Sequence, residues 1–202
     1  MISRLLPTQV LLIPVHALEA LSVRYQFAEA LYHWMAPVYQ SIRPLFYFGE
    51  DRFEAAVRGG HRVLEMGSGT GYLSRRLARE ADMVVGLDRE WLMTRKAVSK
   101  GGGVHYVVGD MAKLPFKNES FDRCVSLGAL HCLDPVEFFQ GVSEVLRPRG
   151  EAGVLSEVWI MPRLLSQLKQ EAIPEAIRKS GMRVTGEMQV KTLYRLFWAS
   201  RS

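Results

Sequence analysis

Glycines and acids stand where strands of this chain are predicted to end. Gly67, Gly69 and Gly71 follow the strand-forming run at 62–66, and so many glycines let the backbone approach a ligand with no Cβ in the way. Asp88 and Asp110 follow the next two apolar runs. A carboxylate in this place can bind two ribose hydroxyls. The spacing therefore predicts a site for a ligand with a ribose and a charged tail.

The elements that must position these residues alternate between apolar runs and helical patterns from residue 61 onward. This order predicts a parallel sheet with helices on both faces and a ligand crevice outside the carboxyl ends of the strands. The predicted strands are Arg62–Met66, Met83–Leu87, Val104–Val108, Arg123–Leu127, Glu151–Val158, Met182–Val190 and Thr192–Ser200. The predicted helices are Tyr72–Arg79, Pro135–Leu146, Pro162–Gln170 and a short one from Pro174 to Gly181, with a turn at 147–150. The last two strands must form an antiparallel hairpin, because a parallel return needs a crossover of about a dozen residues.

Composition favours one globular domain with a scattered positive charge. The chain has 202 residues, a formal net charge of +5 and a pI near 9.4. Arg75, Arg76 and Arg79 are predicted on the solvent side of their helix, which favours a solvated surface over a nucleic-acid site. No apolar run reaches the roughly 18 residues of a membrane span. Cys124 and Cys132 are predicted to be buried reduced thiols, which fits a cytoplasmic location.

The first 55 residues differ in character from the remainder. Residues 16–35 carry an apolar stripe with helical spacing, and the segment after them is rich in aromatic side chains. We expect residues 1–55 to form a helical segment that covers the substrate or packs on the sheet, and residues 56–202 to form the main domain. Tyr32, Tyr39 and Tyr47 are candidates to line an acceptor pocket.

Residues 61–160 carry several motifs that resemble the class I S-adenosylmethionine-dependent methyltransferases. The run LEMGSGTG at 64–71 is similar to the first motif of that family, FDRCVSLGALHCL at 121–133 to the fourth-strand motif, and EVLRPRG at 144–150 to the turn before strand five. The resemblance implies a Rossmann-like α/β fold, with a seven-stranded, mostly parallel sheet whose last strand is antiparallel. In that turn Arg149 replaces the first of two usual glycines.

The resemblance also implies S-adenosyl-L-methionine as cofactor and a role for each matching residue. Residues Glu65, Gly67, Ser68, Gly69, Thr70 and Gly71 would hold its methionine end. Asp88, followed by Arg89, would bind the ribose, and Asp110 with Met111 would bind the adenine. The strand-end backbone near Ser126 and Leu127 would face the amino group of the cofactor. MAPVYQ at 35–40 resembles the quinone and sterol methyltransferase branch, with Gln40 where aspartate is usual.

Other classes fit the sequence less well. The nicotinamide dehydrogenase fingerprint G-x-G-x-x-G would need its third glycine at position 72, and it leaves Asp110 without a role. A phosphate-binding P-loop also uses a glycine-rich turn. The sequence SLGALH after strand four lacks the Asn/Asp-Pro-Pro-Tyr/Phe motif of enzymes that methylate amino groups of bases. No metal site is predicted.

The acceptor is predicted to be a small apolar molecule, such as a quinone-like, phenolic or lipid compound. His131 lies on the loop that leaves strand four, and its ordinary pKa of about 6.5 suits a base near neutral pH. A structural contact is the other reading of this histidine. Two further functions stay open, namely an RNA or protein methyltransferase and a non-catalytic partner subunit with the same fold.

Overall fold

A seven-stranded sheet forms the centre of the protein, in a computed structural model that describes residues 50–57, 61–130, 133–157, 172–190 and 194–202. The strands are β1 (Arg62–Met66), β2 (Met83–Asp88), β3 (Val104–Val108), β4 (Phe121–Leu127), β5 (Leu146–Glu157), β6 (Met182–Val190) and β7 (Tyr194–Arg201). The helices are α1 (Glu50–Val57), α2 (Tyr72–Leu77), α3 (Trp91–Ser99), α4 (Pro135–Val145) and α5 (172–179). The strand order is β3-β2-β1-β4-β5-β7-β6, and β7 runs in the direction opposite to the other six strands. The predicted mixed sheet with an antiparallel last strand is confirmed.

Apolar side chains on both faces of the sheet pack against helices. Alternate residues of a strand point to opposite faces, so Leu64 belongs to one core cluster and Val63 to the other. The first cluster includes Phe138 and Phe139 of α4, and the second includes Leu73 of α2. Both clusters lie against β1 and β4, which places the end of β1 in the middle of the sheet. The turn after β1 is therefore supported from both sides.

Several boundaries predicted from the sequence were wrong by a few residues. The differences concern the end of β2 at Asp88, the start of β4 at Phe121, the start of β5 at Leu146, the ends of α2 at Leu77 and α4 at Val145, the start of α5 at 172 and the end of β7 at Arg201. The predicted end of β5 at Val158 and the predicted start of β7 at Thr192 lie outside the described residues. The largest difference is in β5, which was predicted to begin at Glu151. Its pairing with β4 shifts between Phe121 and Arg123, and residues 147–150 form the longer side of that irregularity. Residues 147–150, which were predicted to form a turn, are thus part of β5.

Arg149 lies in the left-handed region of the backbone, with φ of 64°. This conformation costs a residue with a Cβ about 1–2 kcal/mol, whereas glycine adopts it freely but loses about 0.5–1 kcal/mol of chain entropy on folding. We expect Arg149→Gly to raise the free energy of unfolding by up to about 1 kcal/mol, or about 2–4 °C in Tm. Thermal unfolding measures the change. Arg149→Ala is the control, because it removes the same side chain and keeps the Cβ; equal stabilisation by both variants would contradict the backbone explanation.

Helix α1 joins the domain through Phe53. Its side chain is fully buried, and its ring centroid lies 5.7 Å from that of Trp198 on β7. Helix α1 spans residue 55, where the sequence predicted a boundary between two segments, and that boundary stays a prediction. The predicted helices within 16–35 and 162–170 lie outside the described residues. Within the part of the chain that is described, no helix is long and apolar enough to cross a membrane.

Two of the three arginines predicted to be solvated on α2 are half-buried. Arg76 forms an ion pair with Glu54 of α1, and the guanidinium of Arg75 donates a hydrogen bond to the carbonyl oxygen of Thr70 at 3.0 Å. Only Arg79 is exposed. The prediction was wrong for Arg75 and Arg76 because periodicity shows which side of a helix faces the sheet but not which side chains cover that surface. The buried thiol predicted at Cys124 is present, and burial raises its pKa.

Candidate active site

The turn after β1 is built by three glycines with positive φ. Gly67, Gly69 and Gly71 have φ of 76°, 52° and 70°, a region that residues with a Cβ rarely adopt. The backbone N–H groups of Gly67 and Ser68 donate to the carbonyl oxygen of Leu87 at 2.8 and 3.0 Å, and the N–H of Gly71 donates to the carbonyl oxygen of Ser68 at 2.8 Å. The turn is therefore held against the end of β2.

Asp88 fixes the same turn from the end of β2. One carboxylate oxygen accepts the N–H of Gly69 at 2.6 Å, and the other accepts the N–H of Glu90 at 2.8 Å. Burial raises the pKa of Asp88, although these N–H groups favour the charged form. An ionised carboxylate has about four lone-pair positions, so both oxygens keep a position for a hydroxyl of a ligand. Asp88 can thus join the turn to a bound ribose.

The hydrogen bonds within the turn distinguish a phosphate-binding turn from a turn that binds other ligands. A phosphate cradle needs free backbone N–H groups that point at the ligand. In this turn the N–H groups of Gly67, Ser68, Gly69 and Gly71 already donate to acceptors within the protein. The turn is consequently poorly suited to a phosphate, which counts against the P-loop and dinucleotide readings. It suits a ligand bound through hydroxyls and through a tail without phosphate.

Asp110 lies beside Asp88, because β2 and β3 end next to each other in the sheet. Asp88 pairs with Val108 in the sheet, and the N–H of Gly109 donates to the carbonyl oxygen of Asp88 at 3.0 Å. Asp110 follows directly. One of its carboxylate oxygens accepts the N–H of Ala112 at 2.9 Å, and the other lies 3.9 Å from the guanidinium of Arg89. Asp110 is half-buried and lies on the edge where the resemblance places the adenine.

Met111 and the loop after β4 complete the surroundings of the turn. A Cβ on Gly67 would overlap the Cβ of Ala129 and would lie 3.8 Å from the Cε of Met111. The hydroxyl of Ser126 donates to the carbonyl oxygen of Met66 at 3.1 Å, which ties the ends of β4 and β1 together. Leu127 at the end of β4 is buried. The turn, Met111 and the β4 loop therefore share one edge of the sheet.

Buried polar side chains on the turn show whether a polar cofactor could bind there. The side chain of Ser68 is 6% exposed, and among the described residues its hydroxyl oxygen is the one buried side-chain polar atom without a hydrogen-bond partner. A buried hydroxyl left unpaired costs about 1–3 kcal/mol, so a polar group of a ligand is the expected partner. Thr70 is also buried. The residues present therefore fit a polar ligand tail at this turn.

Comparison with known proteins identifies the domain. A family model described as "Methyltransferase domain" matches residues 63–150, which include the glycine turn and both acids. Residues 63–150 are thus a methyltransferase domain, in agreement with the class I S-adenosylmethionine-dependent type that the sequence resembles. S-adenosylmethionine is the cofactor of this class, and Ser68 and Asp88 offer the groups that its tail and ribose would need.

Two relatives show how far the similarity of the methyltransferase domain extends. The tRNA U34 carboxymethyltransferase of Azotobacter vinelandii is 34% identical over 100 residues, which are 46% of this chain and 31% of that protein. The phthiotriol/phenolphthiotriol dimycocerosates methyltransferase of Mycobacterium tuberculosis is 35% identical over 97 residues, which are 46% of this chain and 36% of that protein. The chain thus spans about a third of the length of these relatives.

Solved structures share the fold of the methyltransferase domain. A chain from the complex of the Haloferax volcanii Trm112 methyltransferase activator with a protein assigned as a methyltransferase has a TM-score of 0.71 at 19% identity, covering 84% of this chain and 96% of that one. An S-adenosylmethionine-dependent methyltransferase from Mesorhizobium loti has a TM-score of 0.64 at 21% identity, covering 76% of this chain and all of that one.

Some predicted site residues of the methyltransferase domain lie outside the described part of the chain. These are His131, Tyr32, Tyr39 and Tyr47, and their roles stay predictions. Sequence reasoning missed Ser74 of α2, which contacts Glu65 just before the turn, and Tyr106 of β3, which contacts Gly71. A tyrosine in the middle of a strand is typical of a core position. The sequence signal for a close approach of its ring to the backbone was the lack of a side chain at Gly71 and Gly86.

Proposed function

We propose that this protein is an S-adenosylmethionine-dependent methyltransferase that transfers a methyl group to a small apolar acceptor. The observation that carries the activity is the position of Asp88, which joins the glycine turn to the crevice while the N–H groups of the turn are satisfied within the protein. The relative from Mycobacterium tuberculosis is named for lipid acceptors. Its name and the aromatic N-terminal residues of this chain support an acceptor of the quinone-like, phenolic or lipid class.

The protein would contribute mainly proximity and orientation. The cofactor supplies an electrophilic methyl group on a sulfonium sulfur, and the acceptor needs a nucleophilic atom in line with the methyl–sulfur bond. In this proposal Asp88 and Asp110 hold the ribose and the adenine, and Glu65 with residues 67–71 holds the methionine end. Where the acceptor atom carries a proton, His131 takes it as general base. Tyr32, Tyr39 and Tyr47 line the acceptor pocket.

Transfer to RNA is the second candidate, because one relative is named for tRNA and the pI is near 9.4. The cations on α2 count against it, since Arg75 and Arg76 are used in contacts within the domain. A protein acceptor and a non-catalytic subunit stay open as further outcomes. The cytoplasmic location predicted from the sequence stays a prediction.

A methyl-transfer screen with labelled cofactor tests the proposal. We expect label to enter a quinone, phenol or lipid pool and not bulk tRNA or a protein extract. Label in tRNA whose transfer falls steeply with salt would favour the RNA function, and label in protein would favour a protein acceptor. Binding of S-adenosylhomocysteine without transfer to any pool would favour a non-catalytic subunit. In the same assay, a His131→Gln variant with full turnover would remove the proposed base.

A further inference from the structure

Three buried or half-buried polar side chains from three elements meet beneath the glycine turn. Glu65 on β1 is 3% exposed, and Ser74 on α2 is fully buried. The hydroxyl of Ser74 donates a hydrogen bond to the carboxylate of Glu65. The hydroxyl of Tyr106 on β3 donates a hydrogen bond to the carbonyl oxygen of Gly71 at 3.4 Å. One hydrogen bond therefore ties α2 to β1 beneath the turn, and another ties β3 to the end of the turn.

The ring of Tyr106 reaches the turn because two neighbouring positions lack side chains. Gly86 pairs with Tyr106 in the sheet, and a Cβ at Gly86 would come within 2.8 Å of the ring. A Cβ at Gly71 would overlap the Tyr106 hydroxyl and would lie 2.9 Å from the Cβ of Ala97 on α3. Real Cβ atoms do not approach other atoms so closely in a well-packed interior. The height of Gly71 above the sheet is thus set by the tyrosine.

The protonation state of Tyr106 lets it act as a donor. Burial raises the pKa of this phenol above its ordinary value of about 10. The hydroxyl therefore keeps its proton at neutral pH. From the outer side, the guanidinium of Arg75 holds the carbonyl oxygen of Thr70 at 3.0 Å, so the end of the turn is held from two directions.

We propose that Tyr106 and Ser74 are positioning residues for the methionine end of the cofactor. They hold Gly71 and Glu65 at fixed positions, and through them the part of the turn that faces the amino-acid tail. The proposed ribose and adenine contacts at Asp88 and Asp110 lie at the ends of β2 and β3 and do not depend on these two hydrogen bonds. The inference rests on the proposed function, and its test separates the two.

Isothermal titration with two ligands tests the inference. S-adenosylhomocysteine carries the amino-acid tail, whereas methylthioadenosine lacks its amino and carboxylate groups. We expect Tyr106→Phe to weaken S-adenosylhomocysteine binding about threefold to tenfold, the effect of one lost hydrogen bond, and to leave methylthioadenosine binding within about twofold. Ser74→Ala should show the same selectivity, because it removes the hydrogen bond that holds Glu65. Tyr194→Phe, which removes a hydroxyl from buried β7, is the matched control and should change neither constant.

The outcomes separate the inference from the proposed function. Unchanged S-adenosylhomocysteine binding in both Tyr106→Phe and Ser74→Ala would overturn the positioning role. An equal loss for both ligands would also overturn it, since it would indicate a general loss of structure. A wild-type protein that binds neither ligand at millimolar concentration would overturn the proposed function and the inference together.

Discussion

Replacement of Asp88 by alanine is expected to weaken S-adenosylhomocysteine binding by at least about a hundredfold. In the proposed site the variant removes a charged acceptor for two ribose hydroxyls, and each such bond contributes about 1.5–3 kcal/mol. It also frees the N–H groups of Gly69 and Glu90, which the carboxylate accepts in the structure. The turn would then lose its fixed position as well as its ligand contact. Isothermal titration gives the dissociation constant, and circular dichroism shows whether the variant is folded.

Asp88→Asn is expected to weaken S-adenosylhomocysteine binding almost as much as Asp88→Ala. Both carboxylate oxygens accept backbone N–H groups, whereas an asparagine amide offers one oxygen and one NH₂ donor. Either Gly69 or Glu90 would then face a donor instead of an acceptor. Asp82→Ala is the matched control, because Asp82 is exposed and precedes the other end of β2. Tight binding by Asp88→Asn would mean that the negative charge and the second acceptor are unimportant.

The same site should show a distinct pH dependence. The proposed ribose contact needs the ionised form of Asp88, and burial raises the pKa of this carboxyl above 3.8. Binding to the wild-type protein should therefore begin to weaken, as the pH falls, at a higher pH than an ordinary aspartate would give. A titration of the dissociation constant between about pH 4 and pH 8 covers the ordinary range and the raised one.

The sheet was predictable from the sequence because its strands are short apolar runs separated by helices. Alternation of this kind allows few topologies, and the terminal hairpin followed from the short connection between β6 and β7. The start of β5 was not predictable. It depends on a shift in pairing with β4, which leaves no signal in residue type, and on the left-handed backbone at Arg149, where arginine replaces the usual glycine.

The candidate site was partly predictable from the order of the strands. The positions of Asp88 and Asp110 followed from the rule that parallel strands end on one edge, and the structure joins the two strand ends through Gly109. The internal hydrogen bonds of the turn could not be predicted, because they depend on the three-dimensional position of Leu87. The contacts of Tyr106 and Ser74 likewise join residues far apart in the chain.

Gly67→Ala is expected to lower the free energy of unfolding by about 3 kcal/mol. Two costs add in this variant. The left-handed backbone at φ of 76° costs a residue with a Cβ about 1–2 kcal/mol, and the overlap with the Cβ of Ala129 adds an overpacking cost of about 1–3 kcal/mol. The turn and the loop after β4 must move apart to admit the methyl group. Cofactor binding should weaken with them, because both lie on the proposed site.

A second substitution separates the two costs. Without the Cβ of Ala129, the nearest atoms to an alanine methyl at position 67 are the Cε of Met111 at 3.8 Å and the Cα of residue 129 at 3.9 Å, which are ordinary contacts. We therefore expect the double variant Gly67→Ala/Ala129→Gly to regain the stability lost to overpacking. It should retain the loss of stability that comes from the left-handed backbone. Urea unfolding of the wild type, both single variants and the double variant gives the coupling energy. A coupling energy near zero would mean that the loop after β4 moves aside without cost. The loss of stability in Gly67→Ala would then come from the backbone alone.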